Sequence, residues 1–450
     1  MSGHPNPTST DVHDERARAS ALKRAASASF IGNFIEWFDY ASYGYMAAVI
    51  GEVVSPSEDE TIQLMTSLAI FAMSFILRPI GAIVWGMWGD RKGRRWALSW
   101  SILIMSGSTF LIGLLPSHAT IGIFAAVGLL LLRMIQGFSA SGEYAGAGTF
   151  LAEYAPPAKR GLYTSLVPAS TACGLLAGSL MVAGMFAVLD TEAMHSWGWR
   201  IPFLLAAPLG LVGRYIRVHL EDSPVYQAMR DELPDEQPRS NPIGALLTQH
   251  GREVLITFGV SCLNAVAFYM LLSYMPTYMS QELGFPEDTA TMATSVMLVV
   301  YIASIFLMGH LSDAVGRRKM LITACVAFII LSLPLFWVMS HAGKDTRGLL
   351  LIIACQVVFA IILTANDGTL ATFLAESFPT EVRYSGFALS FNGANALLGG
   401  TTPIVVTALI RATGSSLVPA IYLTVVALLA LVAIRASRVI HMAEIGKSSE

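Results

Sequence analysis

The sequence predicts an all-α integral membrane protein with twelve transmembrane helices in two pseudo-symmetric six-helix bundles. The first observation is the composition: 54% of the 450 residues are hydrophobic, 13% are charged, and the mean hydropathy is +0.60. Soluble domains carry about 25% charged residues, so most of this surface is expected to face lipid. The second observation is a series of apolar runs long enough to cross about 30 Å of hydrocarbon. The third is a pair of loop motifs that recurs in the second half of the chain.

The apolar runs divide the chain into two bundles of six spans each. Residues 1–26 are polar and are expected to form a cytoplasmic N-terminal tail, because a signal peptide needs an apolar core close to the first methionine. The polar stretch 220–253 is expected to be a cytoplasmic central loop, and 440–450 a cytoplasmic C-terminal tail. The bundles then cover residues 27–219 and 254–439. The predicted spans are 27–50, 61–87, 97–116, 120–150, 162–188, 201–219, 254–280, 290–311, 320–341, 349–375, 386–410 and 416–439.

Lysine and arginine residues set the expected orientation. With the N-terminus inside, 22 of the 28 fall on the cytoplasmic side of the predicted spans. Four fall on the outer side, and Arg78 and Arg133 fall within the membrane. The positive-inside rule therefore predicts that both termini are cytoplasmic.

Charge and motif content disfavour several classes of protein. A net charge of −3 and a pI near 6.3 offer no basic face to nucleic acid, which is not expected as a partner. The four cysteines fall in apolar runs without paired spacing, so neither disulfides nor a metal site are expected. The chain lacks a His-Glu-x-x-His zinc pattern and a Gly-x-Ser-x-Gly elbow, so we expect no catalytic residues and no enzyme. A phosphate loop ending at Gly446-Lys447-Ser448 would need glycine at His441, so neither an ATP-driven pump nor a cofactor is expected.

The two loop motifs recur at one constant offset. Asp90-Arg91-Lys92-Gly93-Arg94-Arg95 follows the second span, and Asp313-Ala314-Val315-Gly316-Arg317-Arg318 follows the eighth. Leu151-Ala152-Glu153 follows the fourth span, and Leu374-Ala375-Glu376 follows the tenth. Both pairs are 223 residues apart, which predicts two homologous halves. Parallel halves with a site near the bilayer midplane are typical of secondary transporters.

The motif Gly89-Asp90-Arg91-Lys92-Gly93-Arg94-Arg95 resembles the signature loop of the major facilitator superfamily. Glu36-Trp37-Phe38-Asp39-Tyr40 and Arg78-Pro79-Ile80-Gly81 resemble its metabolite:proton symporter family. Within that family the sequence is most similar to bacterial proline/glycine betaine transporters, through Trp197-Gly198-Trp199-Arg200-Ile201-Pro202-Phe203 and Tyr269-Met270-Leu271-Leu272-Ser273-Tyr274-Met275-Pro276.

The resemblance implies the major facilitator fold, a place in the bacterial cytoplasmic (inner) membrane, and proton-coupled uptake of a zwitterion such as proline or glycine betaine. Other members carry organic acids such as 2-oxoglutarate, citrate or shikimate, which is the alternative. The implied partners are a small-molecule substrate, protons as the coupling ion and the lipid bilayer, and the expected state is a monomer. The chain departs from the family where Ser141-Gly142, in place of two glycines, precedes Glu143. It also ends about ten residues after its last span, whereas some osmoprotectant members carry a long C-terminal coiled coil linked to osmosensing.

Charged residues within the predicted spans are the candidates for proton coupling. A charge in the membrane usually marks a transport pathway, because it is costly unless it is paired or hydrated. Glu36 and Asp39 lie one turn apart in the first span, and Glu143 lies in the fourth. Arg78 and Arg133 are the expected counter-charges of these carboxylates. Burial raises the pKa of a carboxylate and a nearby arginine lowers it. The alternative is that these residues only form structural ion pairs between helices.

Aromatic residues of the first and seventh spans are the candidates for substrate binding. An ammonium group binds well against aromatic faces, and an arginine can hold a substrate carboxylate. The alternative is that most of these rings pack against lipid or other helices. The candidates are Asn33, Trp37, Tyr40, Tyr43, Tyr269 and Tyr274.

The loop motifs are expected to form a cytoplasmic gate. Carboxylates and arginines there can pair between helices while this side is closed and separate when it opens, as alternating access requires. The alternative is that the arginines only signal topology. The gate candidates are Asp90, Arg94, Arg95, Glu153, Arg160, Asp313, Arg317, Arg318, Glu376 and Arg383.

Overall fold

The computed structural model describes residues 9–232 and 242–437, which form α-helices with short 3₁₀ and π segments and no strand. Parts of three predicted segments lie outside the described residues. These are 1–8 of the N-terminal tail, 233–241 of the central loop and the whole C-terminal tail 440–450.

The first half contains six spans, several of them made of two consecutive helices. The helices are α1 (Ser9–Tyr45), α2 (Ala47–Val54), α3 (Glu60–Ile76), α4 (Arg78–Lys92), α5 (Arg94–Leu114), α6 (His118–Ile121), α7 (Phe124–Ala140), α8 (Glu143–Tyr154), α9 (Arg160–Thr164), α10 (Leu166–Val188), α11 (Thr191–Ser196), α12 (Ile201–Leu204) and α13 (Ala206–Val218). The short helices α6 and α11 lie in connections between spans.

The predicted central loop contains two helices, and the second half again has six spans. The helices are α14 (Pro224–Glu232), α15 (Pro242–Gln249), α16 (Gly251–Phe268), α17 (Met275–Gln281), α18 (Glu287–Val315), α19 (Arg317–Ser340), α20 (Thr346–Glu376), α21 (Arg383–Ala394), α22 (Thr402–Thr413) and α23 (Val418–Ala436). The π segments Tyr269–Tyr274 and Asn395–Gly399 join α16 to α17 and α21 towards α22. The twelve-span, two-bundle prediction is confirmed.

Proline marks the points at which interrupted spans resume. Pro79, Pro202, Pro276 and Pro403 each stand in the first two positions of a helix that follows a break. Proline lacks an N–H and has a preset φ, so it fits the start of a helix better than its interior. The interruptions therefore follow from the sequence, although Pro334 lies inside the continuous helix α19.

The first span differs most from its predicted bounds. Helix α1 begins at Ser9, within the segment expected to be a tail, and continues without a break to Tyr45. Ten other helical stretches of the described chain are long and apolar enough to cross a membrane by length and composition. The first two spans do not meet this criterion of length and hydropathy. In the first span the polar residues Asn33, Glu36 and Asp39, which are buried, lower the mean hydropathy.

Small residues let α1 pack directly against the backbone of α10. A Cβ added at Gly174 would lie 2.6 Å from the carbonyl oxygen of Phe34, and one at Gly178 would lie 2.7 Å from that of Phe38. No side chain fits at either distance, so glycine is required for this approach. Close contact through small residues is the usual way in which membrane helices associate.

The repeated loop motifs adopt the same backbone conformation in both halves. Gly93 has a φ of +106° and Gly316 a φ of +98°, a region that favours glycine because it has no Cβ. These residues are 223 positions apart, which matches the offset of the motifs. We call the end of the molecule that carries the loops 90–95 and 313–318 the motif end.

Candidate functional site

A cavity of about 400 Å³ lies between the two halves. Its lining includes Gly44 and Tyr45 at the end of α1, so it lies towards the end of the molecule opposite the motif end. The first half contributes mainly rings from α1 and α3. The second half contributes hydroxyls as well as rings, including Ser273, Thr277, Thr291, Thr294 and Ser295. A site shared by both halves is thus formed within one chain.

Five aromatic rings surround one side of this cavity and join the two halves. Trp37 of α1 lies 5.6 Å from Tyr40 and 5.0 Å from Phe268, measured between ring centroids. Phe75 of α3 lies 5.8 Å from Tyr40 and 6.1 Å from Tyr269. Three of the predicted substrate residues, Trp37, Tyr40 and Tyr269, are therefore cavity residues. Phe75 and Phe268 were not among the predicted residues, although an apolar ring alone gives no signal in a membrane span.

An ion pair lies directly behind the aromatic wall. Nη2 of Arg78 lies 2.6 Å from Oε1 of Glu36 and donates to the hydroxyl of Tyr40 at 2.5 Å. The guanidinium also lies 4.7 Å from the ring centroid of Phe75. Oε2 of Glu36 and Nε of Arg78 have no hydrogen-bond partner among the described residues. The pair is thus buried next to the cavity, and one atom of each side chain can still form a hydrogen bond.

A second ion pair lies inside the first half. Nη1 of Arg133 lies 2.5 Å from Oδ2 of Asp39, which also accepts a bond of 2.6 Å from the Gln136 amide. The ring of Tyr43 lies 3.9 Å from the Arg133 guanidinium. Gln136 was missed at the sequence level, although its spacing of three from Arg133 places both on one helix face.

Glu143 has a different partner from the two that the sequence suggested. Nη2 of Arg217 lies 2.8 Å from Oε2 of Glu143, and Ser101 donates to the other oxygen. Arg217 also donates to the Ala28 carbonyl at 3.0 Å and is buried. The expectation that Arg78 or Arg133 balances Glu143 is therefore wrong. Arg217 is one of the 22 lysines and arginines predicted to be cytoplasmic, because it stands near the end of the predicted span 201–219.

Three predicted substrate residues lie outside the cavity lining. The Asn33 amide donates to Val167, Ser170 and Thr171 of α10. The Tyr43 hydroxyl contacts Ser67, and that of Tyr274 contacts Thr407 at 2.9 Å. Asn33 and Tyr274 thus hold neighbouring helices together, and Tyr43 covers Arg133.

At the motif end each repeated aspartate binds the start of a helix in the opposite half. Asp90 accepts from the backbone N–H of Tyr384 at 3.2 Å and of Ser385 at 2.9 Å, at the start of α21. Asp313 accepts from the N–H of Gly161 at 2.8 Å and of Leu162 at 3.0 Å, at the start of α9. A carboxylate is favourable there because the first N–H groups of a helix lack intrahelical partners and carry a positive partial charge.

The repeated glutamates form ion pairs across the same boundary. Oε1 of Glu153 lies 2.7 Å from Nη1 of Arg383 in the other half and 3.3 Å from Arg94 in its own. Glu376 is arranged in the same way, at 3.7 Å from Arg160 and 3.6 Å from Arg317. The two clusters differ in burial. Glu153 and Arg383 are fully buried, whereas Glu376 and Arg160 are 11% and 12% exposed.

The two outer arginines of the motifs bind backbone within their own halves. Arg95 donates to the Leu220 carbonyl at 2.8 Å, and Arg318 donates to the Arg435 carbonyl at 2.9 Å. Neither crosses between the halves in these contacts. Seven of the ten predicted gate residues take part in contacts between the halves, since Arg94 also donates to the Thr380 carbonyl at 2.7 Å. Arg317 pairs with Asp313 and Glu376 of its own half, and Arg95 and Arg318 support the loops.

The start of the central segment covers the cluster in the first half. Asp222 accepts from the backbone N–H of Arg94 at 3.1 Å, and Ser223 donates to Glu153. Burial raises the pKa of the Asp222 carboxyl, and the Tyr226 ring lies 4.6 Å from the Arg94 guanidinium. The sequence predicted only a cytoplasmic loop for this segment. Its contacts with Arg94 and Glu153 depend on how the chain folds back onto the loop 90–95, which the sequence does not indicate.

One buried carboxyl in the second half was also missed. Asp367 lies in the middle of α20 with 1% of its surface exposed. Its oxygens accept bonds of 2.6 Å from Asn264 of α16 and from Tyr301 of α18. An acidic residue inside an apolar run was the available signal.

A family profile described as sugar (and other) transporter matches residues 25–240 and 227–436, which is nearly the whole described chain. The chain belongs to the sugar (and other) transporter family. It is a multi-pass membrane transporter and not an enzyme. The cavity shared by the halves and the contacts at the motif end are therefore parts of a transporter of this family.

Curated members of this family resemble the chain over most of their length. The proline/betaine transporter of Salmonella typhimurium is 38% identical over 420 residues, which cover 91% of this chain and 82% of that protein. The glycine betaine/proline/ectoine/pipecolic acid transporter of Dickeya dadantii is 37% identical, with the same two coverages.

Solved structures show the same fold at low sequence identity. The proton:xylose symporter XylE bound to 6-bromo-6-deoxy-D-glucose has a TM-score of 0.76 and 16% identity, covering 93% of this chain and 95% of its own. A partially occluded inward-open structure of the E. coli xylose transporter has a TM-score of 0.67 at 16% identity. The major facilitator fold is thus established for this chain.

Proposed function

We propose that this transporter couples inward proton movement to uptake of a small zwitterion of the proline and glycine betaine class. The observation that carries the proposal is the buried Arg78–Glu36 pair behind an aromatic wall that both halves build. The printed substrates of the relatives point to the same chemical class.

The cavity offers one feature for each end of such a substrate. A quaternary or secondary ammonium is attracted to the faces of rings such as Trp37 and Tyr269. The substrate carboxylate is then directed to Arg78, whose guanidinium contacts the cavity residue Tyr40. A volume of about 400 Å³ suits a ligand of this size, since ligand pockets typically measure about 300–1,000 Å³.

Proton coupling follows from competition for Arg78. While Glu36 is ionised it holds the guanidinium at 2.6 Å, so a substrate carboxylate would have to displace it. Protonation neutralises Glu36 and leaves Arg78 available for the substrate. Proton and zwitterion then bind together. Because the zwitterion has no net charge, the loaded site differs from the empty site by the charge of one proton only. Asp39 with Arg133 and Glu143 with Arg217 are further candidates for proton-linked changes within the first half.

We propose that the motif end faces the cytoplasm of a bacterial cell, because 22 of the 28 lysines and arginines fall, in the sequence, on the same side of the predicted spans as the loop motifs. The inter-half contacts of Asp90, Asp313, Glu153 and Glu376 then close the cytoplasmic side, and their separation opens it. One chain builds the whole cavity, which supports the monomer as the working unit.

An organic acid is the competing substrate class. A dicarboxylate would favour two cations beside the cavity. Arg78 contacts the cavity residues Tyr40 and Phe75. Arg133, in contrast, is engaged with Asp39 and lies against Tyr43 and Phe203, which are outside the lining. The zwitterion is therefore the better fit to the described residues.

Competition uptake in membrane vesicles tests both parts of the proposal. Unlabelled proline and betaine should displace labelled betaine, 2-oxoglutarate should not, and a proton ionophore should abolish accumulation even with ATP present. Accumulation that survives the ionophore and follows ATP rules out proton coupling. Uptake of labelled 2-oxoglutarate without uptake of labelled betaine or proline rules out the zwitterion.

A further inference from the structure

Asp367 of α20 is held by neutral donors on two other helices of the second half, α16 and α18. Nδ2 of Asn264 donates to one oxygen and the hydroxyl of Tyr301 donates to the other, both at 2.6 Å. The neighbouring Asn366 is also buried, and both of its amide atoms lack a hydrogen-bond partner among the described residues. The centre of α20 thus contains a polar cluster that helix packing alone does not require.

The surroundings of Asp367 differ from those of the buried acids in the first half. Glu36, Asp39 and Glu143 each have an arginine within 2.8 Å, whereas no lysine, arginine or histidine nitrogen of the described chain lies within 4.0 Å of Asp367. The titratable groups that interact with it are the phenols of Tyr301 on α18 and Tyr144 on α8. A buried carboxylate without a cation is poorly compensated, and binding a proton removes its charge without breaking an ion pair.

Asp367 lies between the cavity and the motif end. Its partner Asn264 is four residues before the cavity residue Phe268, and Tyr301 is three residues after the cavity residue Leu298. These spacings place each partner one helical turn below the cavity lining. On the other side, Thr372 of α20 contacts Thr164 of the first half at 2.5 Å, and Glu376 follows at the motif end.

We propose that Asp367 is a proton-binding site of the second half, separate from the pair at Glu36. One proton from the cavity side binds a carboxylate oxygen to give the neutral acid, and the same proton leaves to water when the motif end opens. The inference rests on the proposed proton coupling. It places one coupling carboxyl in each half, so that the loaded state of both halves depends on protonation.

The test compares purified wild type with Asp367→Asn in vesicles, using labelled betaine. Three quantities are measured: proton entry per betaine, accumulation under an imposed pH gradient, and counterflow without a gradient. The variant should keep counterflow with near wild-type affinity and show a lower proton-to-betaine ratio. For each pH unit of gradient, loss of one coupled proton lowers the limiting accumulation about tenfold.

Control variants separate coupling from packing. Asp367→Glu keeps an ionisable group and should restore part of the ratio. Thr369→Val changes a buried residue of the same helix whose hydroxyl donates to the Ala365 carbonyl at 3.0 Å, and should behave as wild type. Infrared spectra of the purified protein give a reading without transport: a carboxyl band that titrates in wild type should be absent from Asp367→Asn.

A wild-type proton-to-betaine ratio and wild-type accumulation in Asp367→Asn would overturn the inference. A raised betaine dissociation constant with an unchanged proton-to-betaine ratio would also overturn it, because this result indicates a role in substrate binding. Where the variant loses counterflow as well, an unchanged infrared titration overturns it. Absence of betaine-dependent proton entry in wild type refutes the proposed function itself, which is a different result.

Discussion

At the scale of single residues, the four buried acids of the membrane region differ in what compensates them. Glu36, Asp39 and Glu143 have arginine partners, and Asp367 has an amide and a phenol. A buried ion pair is not a reliable source of stability, because desolvation offsets its attraction. Its presence next to a cavity is therefore better explained by a role in binding or coupling.

Glu36→Gln should abolish uphill accumulation and retain counterflow. The amide keeps the shape of the side chain but cannot exchange a proton, so Arg78 remains permanently available to the substrate. Accumulation and counterflow of labelled betaine, corrected for surface expression, check this. Asp39→Asn is the matched variant inside the first half, and full proton-driven uptake by both would move the coupling site elsewhere.

Trp37→Ala should weaken betaine binding by about 1–2 kcal/mol, because it removes a ring from the cavity wall where an ammonium can bind in a dry site. That loss corresponds to an increase of roughly 5- to 30-fold in the dissociation constant. Counterflow at varied betaine concentration measures it. The control is Trp337→Ala, a ring that is 53% exposed on the outer surface of α19 and should leave affinity unchanged. Equal affinity in both variants contradicts an aromatic binding site.

At the scale of helices and loops, the two halves repeat their contacts but not their burial. Asp90 and Asp313 bind helix starts in the same register, and the partners Tyr384 and Gly161 are themselves 223 residues apart. The glutamate clusters follow the same register, but the central segment covers only the one at Glu153. We therefore expect the two halves of the gate to contribute unequally.

Glu153→Gln should destabilise the state closed at the motif end more than Glu376→Gln does. The first change removes the carboxylate partner of Arg383 and leaves Arg94 with Asp90 at 3.3 Å, in a buried site where removal of one partner costs about 3–5 kcal/mol. The second affects longer ion pairs, at 3.7 and 3.6 Å, that are partly open to solvent, so it should cost less. Thiol labelling of a single cysteine placed at Thr372, between the halves, in a protein whose four native cysteines are replaced, measures the opening in each background. Equal labelling rates would contradict the asymmetry.

The sequence repeat predicted most of the contacts at the motif end, whereas composition predicted fewer of the contacts inside the membrane. A constant offset identified seven residues that meet across the halves, because homologous halves place equivalent residues in similar contacts. The partners of Asp90 and Asp313 could not be predicted, since they are backbone N–H groups that leave no residue signature. Arg217 was misplaced because an arginine near a span end normally signals topology, and its partner Glu143 is distant in sequence.

At the scale of the whole molecule, one chain forms a cavity between its halves on one side and a closed boundary on the other. The contacts at the boundary are hydrogen bonds and ion pairs to discrete partners, so their loss and recovery can be all-or-none. The cavity contains rings and hydroxyls that remain attached to each half when the halves rotate. Transport then requires that the boundary contacts separate once in every cycle.

A reversible cross-link at the boundary tests that requirement. The hydroxyl oxygens of Thr164 and Thr372 lie 2.5 Å apart across the two halves, a separation that suits a disulfide after Thr164→Cys and Thr372→Cys. Oxidation should hold the motif end closed and abolish both uptake and counterflow, while betaine still binds from the opposite end. Reduction should restore transport, and each single variant should be insensitive to oxidant. Betaine binding is measured on purified protein by calorimetry before and after oxidation. Transport that continues in fully cross-linked protein contradicts separation of the halves at this boundary, whereas loss of binding together with transport indicates that the cross-link has distorted the cavity.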